Sequence, residues 1–178
     1  VRYELRSKSF TSEERKDGMK LGFIDRWIEE ERLHASPVQA VDLGTVESYI
    51  VQRAGEQQIG TWAYDRNAAR QMGQSLLNTH GLQVFEFTQA ACHYNEPIKL
   101  FLSLLTQSRM VNGKPVRLLT HDGCPVLAWQ ATNLIIRKNP KGERMPDKGD
   151  GTSKIDAMVA TLMAFSEFPR IQFSWRAG

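Results

Sequence analysis

Residues 59–87 read IGTWAYDRNAARQMGQSLLNTHGLQVFEF, and this stretch decides the fold. Residues 59–64 are rich in β-branched and aromatic side chains, which favour a strand. Residues 67–80 place apolar side chains on one face of a helix, and Gly81 is a typical helix stop. Residues 82–87 again predict a strand. A strand, a helix and a strand within about 30 residues form a βαβ unit, which predicts parallel strands and a right-handed crossover.

Two aspartates stand where such a unit binds ligands. Asp65 follows the first predicted strand, and Asp156 opens the most apolar helix of the chain. A carboxylate at the carboxyl end of a buried strand points into the crevice where α/β proteins bind ligands. Two acids that meet there repel each other, and a divalent cation relieves that repulsion. We therefore predict a shared metal site, although each acid alone also suits a helix N-cap or a first helical turn.

The rest of the chain is predicted to alternate helices and strands around this unit. Apolar residues that recur every three or four positions indicate helices, and short alternating runs indicate strands. Residues 143–153 are polar and glycine-rich, and we expect them to be mobile. The other predicted elements are a strand at 1–7, a helix from 11, a helix through 23–28 that ends near 33, a strand at 38–41, a helix between Asp42 and Gly55, a helix opening at Pro97, a turn at 111–115, a helix over 125–133, a strand at 134–136 and a final helix packing through residues 155–163.

The composition indicates an ordinary globular domain. The chain has 178 residues, of which 41% are hydrophobic and 24% are charged, enough for one sizeable core. Its net charge of +3 is compatible with a polyanionic partner without demonstrating one. Cys92 and Cys124 lie far apart without Cys-x-x-Cys spacing, which argues against a zinc site or a disulfide framework. No apolar run reaches the ~20 residues of a membrane span, and residues 1–6 are not a signal peptide, so no membrane partner is expected.

Several short motifs follow one another in a recognisable order. They are Phe23 and Trp27, Val41-Asp42, Tyr64-Asp65, Phe87-Thr88-Gln89, the run from His121 through Pro125-Val126-Leu127 to Trp129 with Asn133, and Lys148 ahead of Lys154-Ile155-Asp156. In this order and approximate spacing the chain resembles the C-terminal nuclease domain of the large terminase subunit of tailed phages, particularly the group typified by phage HK97. The resemblance covers residues ~20 to 165, and the coincidence of several motifs makes it far more specific than any one of them.

The resemblance implies a fold, an activity and a set of partners. The fold class is α/β, an RNase H-like mixed sheet flanked by helices, in a single domain over residues 1–170 with a tail over 171–178. The activity is metal-dependent DNA endonuclease, in which Asp65 and Asp156 take the positions of two metal-binding, catalytic acids for Mg²⁺ or Mn²⁺. The implied partners are double-stranded DNA and, in the intact family, the portal protein and the small terminase subunit. We expect the isolated domain to be a monomer in the host cytoplasm.

Basic residues near the second acid are candidates for contacts with DNA phosphates, although a solvated charged loop has the same composition. These residues are Lys138, Arg144, Lys148 and Lys154.

The chain departs from the family pattern in three places. The family's first metal-binding aspartate lies on a strand before the segment matching residues 1–5, and that strand is missing from this sequence. No Gly-x-x-x-x-Gly-Lys-Ser/Thr motif of an ATPase occurs. The spacing between Leu105 and His121 is longer than usual. Since Val1 is not methionine, the chain is interpreted as a fragment. With the family's first acid absent, metal affinity is expected to fall and cleavage to be impaired. The chain is therefore predicted to be a truncated nuclease domain, or a non-catalytic remnant that still binds DNA or a packaging component.

Asp42 offers a rival interpretation. Val41-Asp42-Leu43-Gly44-Thr45 resembles the opening strand of the wider RNase H-like and actin-like group, in which this aspartate meets metal or phosphate. The chain would then be another RNase H-like enzyme that uses Asp42. The alternative is that Asp42 caps a helix. A helix at 46–54 excludes the rival, and a hairpin there supports it.

Overall fold

A computed structural model of the chain describes residues 5–7, 18–36, 41–57, 59–149 and 153–175. The helices of this part are Gly18–Glu29 (α1), Leu43–Glu56 (α2), Arg66–Asn78 (α3), Ala91–Thr106 (α4), Pro125–Asn133 (α5) and Asp156–Trp175 (α6). Its strands are Leu5–Ser7 (β1), His34–Ser36 (β2), Trp62–Asp65 (β3), Val84–Phe87 (β4), Ser108–Val111 (β5), Lys114–Arg117 (β6), Leu134–Lys138 (β7) and Arg144–Lys148 (β8). No helix of the described ranges is long and apolar enough to cross a membrane.

The predicted βαβ unit is confirmed at the centre of the molecule. Strands β3 and β4 pair in parallel, with Asp65 opposite Phe87, and α3 connects them. Helix α3 packs closely on one face of this pair, because Gly73 lies against the ring of Tyr64. The glycine is required there, since an added Cβ would lie 2.4 Å from the nearest ring atom.

The opposite face of β3 and β4 carries the larger apolar core. Phe87 packs with Tyr94 and Ile98 of α4 and with Leu162 and Met163 of α6, and all of these side chains are buried. Each large side chain that is fully buried contributes roughly 1.5–3 kcal/mol to folding. This core therefore fixes the positions of α4 and α6 on that face. A second cluster joins α1 to α5 through the buried residues Ile24, Trp27, Leu33, Cys124 and Val126.

Strand β8 overturns the prediction of mobility for residues 144–148, whereas residues 150–152 of the same predicted stretch lie outside the described residues. It pairs antiparallel with β7, in a register that puts Lys138 opposite Arg144. Met145 and Ile136 pack against the core on α4, and the backbone N–H of Arg144 donates to the side chain of Asn95 at 3.2 Å. Packing of one hairpin face and a ladder of backbone hydrogen bonds outweigh the polar composition of this segment.

Strands β5 and β6 were predicted only as a turn. Asn112 and Gly113 both have positive φ, at 51° and 75°, as the two central residues of a type I′ hairpin turn require. Every residue of both strands is exposed. The pattern of buried and exposed positions that usually reveals a strand is therefore absent here.

The prediction that Pro97 opens a helix is wrong, because α4 begins at Ala91. Proline lacks the N–H that would bond the carbonyl of His93. The buried face formed by Tyr94, Pro97 and Ile98 offsets the loss of that hydrogen bond.

The N-terminal predictions are confirmed only in part. The strand predicted at 1–7 is confirmed for residues 5–7, which form β1 and pair in parallel with β2, and residues 1–4 lie outside the described residues. The helix start predicted at 11–14 and residues 38–40 of the predicted strand lie outside the described residues. The described strands form four two-stranded sheets, two of them parallel and two antiparallel, and no sheet of the described ranges contains both kinds of pair.

Candidate metal centre

Asp65 ends β3 and caps α3, so its carboxylate has a fixed direction. Its Oδ1 accepts a hydrogen bond from the backbone N–H of Asn67 at 3.0 Å. Its Oδ2 accepts one from Nε2 of Gln89 at 2.5 Å, and the residue is half-buried. Each carboxylate oxygen has two lone pairs, so both oxygens can still bind a cation. The N-cap role and a metal role are therefore compatible for Asp65.

Asp156 is the first residue of α6, and two side chains of α5 fasten the chain around it. Gln130 is fully buried, and its Oε1 accepts a hydrogen bond from the backbone N–H of Ala157 at 2.6 Å. Asn133 donates from Nδ2 to the carbonyl of Lys154 at 3.2 Å. These bonds hold the backbone on both sides of Asp156, whose own side chain is exposed to solvent.

Both acids border the same core. Side chains alternate along a strand, so Asp65 shares the face of β3 that carries Ala63. Ala63 and Val159 pack against one cluster, and α6 contacts β3 directly. Asp156 lies about one helical turn before Val159. The two acids therefore flank one packed contact between β3 and α6, while their sharing of a cation stays a prediction.

Tyr94 packs on Phe87, the strand partner of Asp65, and its hydroxyl is unusual. The side chain is 1% exposed, and its oxygen has no hydrogen-bond partner. Its ring centroid is 4.8 Å from that of Phe87, the residue that pairs with Asp65. Burial, and to a smaller extent the charge of Asp65, raise the pKa of Tyr94 to about 12. The phenol is therefore protonated at neutral pH and can act only as a hydrogen-bond donor or a neutral acceptor.

The chemistry of these donors suits a hard divalent cation. Carboxylate oxygens favour Mg²⁺ or Mn²⁺ over the softer metals that thiolates select. Mg²⁺ is commonly held by one or two carboxylates, with water and substrate phosphate completing its shell. Asp65 and Asp156 are the two carboxylates predicted for that role. Within the described ranges, no group of three or more histidine, cysteine, aspartate or glutamate side chains is placed to hold a metal ion.

The predicted phosphate contacts fall into two groups. Lys138 and Arg144 lie opposite each other in the β7–β8 pair, where like charges destabilise the strands. A bound anion would offset that repulsion. Lys148 is exposed at the other end of β8, and Lys154 is half-buried two residues before Asp156.

The rival site at Asp42 is excluded by the helix that follows it. Asp42 is the N-cap of α2, and its Oδ1 accepts a hydrogen bond from the backbone N–H of Gly44 at 3.0 Å. Thr45 donates from its hydroxyl to Oδ2 at 2.6 Å. The hydrogen bond from Thr45 and, to a smaller extent, the bond from Gly44 lower the pKa of the Asp42 carboxyl group. Where the rival requires a hairpin, the chain forms α2.

Sequence reasoning missed the roles of Gln130 beside Asp156 and of Tyr94 in the core under Asp65's strand partner. Gln130 left a signal, because a glutamine among the apolar residues of α5 suggests a buried polar role. Tyr94 left none, since nothing in the pattern distinguishes it from an ordinary core aromatic residue.

Replacing Gln130 with leucine is expected to lower the free energy of unfolding by about 1–3 kcal/mol, because the N–H of Ala157 loses its partner. Urea denaturation measures this change. The matched control is Gln74→Leu on α3, where the side chain is exposed and the change should stay within about 0.5 kcal/mol. Equal stabilities for the two variants would show that Gln130 does not anchor the start of α6.

Three comparisons with known proteins all match this chain to the large terminase subunit. Residues 5–171 match the family described as "Terminase large subunit, endonuclease domain". The terminase large subunit of Enterobacteria phage HK97 is 30% identical over 142 residues, which are 79% of this chain and 26% of that protein. The crystal structure of the HK97 bacteriophage large terminase superposes with a TM-score of 0.68 at 29% identity, covering 92% of this chain and 32% of that chain. The structural likeness confirms the predicted single-domain, RNase H-like α/β fold.

Proposed function

Because the chain belongs to the endonuclease-domain family of the terminase large subunit, we propose that it cleaves double-stranded DNA with divalent ions bound at Asp65 and Asp156. One observation carries this proposal. The Asp65 carboxylate is held by two hydrogen bonds on the face of β3 that packs against α6, the helix opened by Asp156. The proposed nuclease domain covers residues 1–170. In an assembled packaging machine its partners would include the portal protein and the small terminase subunit, in the host cytoplasm.

The protein's part in the reaction is to position ligands. When bound, Mg²⁺ or Mn²⁺ ions activate water and stabilise the leaving oxygen of a phosphodiester. Asn67 and Gln89 orient the Asp65 carboxylate, and each bonded oxygen keeps a lone pair for the cation. Gln130 and Asn133 fix the backbone around Asp156, so that its exposed carboxylate can reach a cation with little loss of backbone freedom.

Two carboxylates make a weak cation site. Mg²⁺ gives up water reluctantly, and the described residues bring no third acid to these two. We therefore propose that cleavage needs high cation concentrations and is slow. The alternative function is a non-catalytic module that binds DNA.

The basic hairpin supports DNA as the ligand in either case. Lys138 and Arg144 pair directly across β7 and β8, so this position of the ladder holds two basic residues and no acidic partner. Lys148, Lys154 and the second acid, Asp156, lie within the next 12 residues of the sequence after Arg144. A phosphate backbone that contacts these side chains would neutralise their repulsion and release counterions.

Supercoiled plasmid incubated with Mn²⁺ tests the proposal. We expect the chain to convert it slowly to open circles, and we expect no conversion in EDTA, because the cation supplies the activated water. Gel electrophoresis over a Mn²⁺ series measures the rate. Absence of nicking at every Mn²⁺ concentration, together with metal-independent DNA binding that falls steeply with salt, would instead support the binding module.

A further inference from the structure

The hairpin of β5 and β6 is exposed on both of its faces. Every residue over 107–118 is exposed, and Met110 has 67% of its surface open to solvent. The backbone N–H of Leu118 donates to the carbonyl of Gln107 at 3.2 Å, which continues the strand pairing toward α4. We call residues 107–118 the ribbon. Two strands that bury neither face are at best marginally stable in water, so a ligand that covers the ribbon would stabilise it.

The charge of the ribbon indicates a polyanion as that ligand. It carries Arg109, Lys114 and Arg117 and no acidic residue. None of the three forms an ion pair with an acid of the described residues. Arg109 lies opposite Val116 in the register, whereas Arg117 lies opposite Ser108. Because paired residues share a face and successive residues alternate, Arg109 and Lys114 project from one face and Arg117 from the other.

Double-stranded DNA fits a ribbon with positive charge on both faces. The major groove of DNA is about 12 Å wide and about 8.5 Å deep, and it admits a two-stranded β-ribbon. Each strand of the hairpin has 4 residues, which at about 3.4 Å per residue makes it about 14 Å long. The ribbon can therefore cross the depth of the groove. Its basic side chains would then reach the phosphates of both DNA strands that border the groove.

Pro115 argues against another protein strand as the ligand. In a hairpin with a two-residue turn, the pair next to the turn exchanges backbone hydrogen bonds. That pair here is Val111 and Lys114, so the N–H position of the next residue, Pro115, faces the free edge of β6. Proline has no N–H to donate there. Natural sheets use proline and lysine in this way to keep further strands from pairing at an edge.

We propose that the ribbon inserts into a groove of double-stranded DNA and contacts its phosphates through Arg109, Lys114 and Arg117. This inference rests on DNA as the ligand of the proposed function, but not on metal binding or cleavage. Gln89, which donates to Asp65, lies two residues before α4, and the ribbon follows the other end of that helix. A helix of 16 residues is about 24 Å long, so the ribbon holds DNA away from the reacting phosphate.

DNA binding without metal tests the ribbon. Fluorescence anisotropy of a labelled duplex in EDTA gives the dissociation constant of the full chain over a series of salt concentrations. We expect the double variant Arg109→Ala/Arg117→Ala to bind at least about tenfold more weakly at ~0.1 M salt. The slope of log affinity against log salt should become shallower by roughly 2, because each lost phosphate contact removes about 0.9. Both side chains are exposed, so the unfolding temperature should stay at the wild-type value.

Arg26→Ala/Lys99→Ala is the matched control. It removes the same charge from exposed positions on α1 and α4. Unlike the ribbon side chains, both are paired with a glutamate, Arg26 with Glu30 at 2.7 Å and Lys99 with Glu96 at 2.6 Å. Its dissociation constant should stay within about twofold of the wild-type value at every salt concentration. A loss of affinity and of salt dependence confined to the ribbon variant supports the inference.

Three results would overturn it, and they are distinguishable. Wild-type affinity in the ribbon variant would show that the ribbon serves another ligand, such as a protein, and would leave the proposed nuclease intact. Equal losses in the ribbon variant and the control would show that only the total charge matters. A wild-type chain that does not bind DNA would refute the ribbon and DNA as the ligand together. Absence of nicking with ribbon-dependent binding would refute cleavage alone and support the inference.

Discussion

Replacing Asp65 with asparagine is expected to lower Mn²⁺-dependent plasmid nicking at least about 100-fold. Mutations of groups that only orient metal ligands typically lower metal affinity or activity 10- to 100-fold, and a direct ligand should matter more. Asparagine keeps a side-chain oxygen for the Asn67 N–H but removes the negative charge. Asp156→Asn should have an effect of similar size. Nicking rates at several Mn²⁺ concentrations measure both losses.

The chain contains a matched control for this substitution. Asp42 and Asp65 are both helix N-caps, and in each the Oδ1 atom accepts a backbone N–H two residues on, at 3.0 Å. Asparagine is about as good an N-cap as aspartate, so both substitutions should change stability little. We expect Asp42→Asn to nick DNA at the wild-type rate. If Asp65→Asn also nicks at that rate, the metal role of Asp65 is wrong and its carboxylate is only a helix cap.

Replacing Gly73 with alanine is expected to lower the free energy of unfolding by about 3 kcal/mol, because the new methyl group overlaps the ring of Tyr64. The added carbon would lie 2.4 to 2.7 Å from three ring atoms. Tyr64 directly precedes Asp65, so relief of the overlap by moving α3 or β3 should also impair nicking. Urea denaturation measures the stability of the variant.

Gly55→Ala is the control for that change. Gly55 lies in α2, and an added Cβ there meets nothing within 4 Å. Alanine should therefore stabilise the protein by up to about 1 kcal/mol through its helix propensity. If Gly73→Ala is as stable as Gly55→Ala, α3 does not pack on β3 as described.

The elements that the sequence predicts correctly are those whose pattern is local and complete. The βαβ unit combines a β-branched strand, a one-sided helix and a stop at Gly81, all within about 30 residues. Helix α5 has Pro125 at its first turn and ends at Asn133, as predicted. The places of Asp65 and Asp156 in the fold are predictable because each acid stands at the edge of such an element.

The elements that the sequence does not reveal depend on contacts distant in the chain. Strand β8 is stabilised by β7 and by the core on α4, and its polar composition hides both. Pro97 is held in a helix because the surrounding face is buried. The role of Gln130 depends on Ala157, which is 27 residues away.

A crystal of the protein soaked in Mn²⁺ tests the central claim most directly, since anomalous scattering locates the ion. We predict a Mn²⁺ peak within about 2 Å of carboxylate oxygens from both Asp65 and Asp156, the direct-ligand distance for a small hard cation. A fully occupied Mn²⁺ site elsewhere, with neither of these two carboxylates in contact with metal, would contradict the claim.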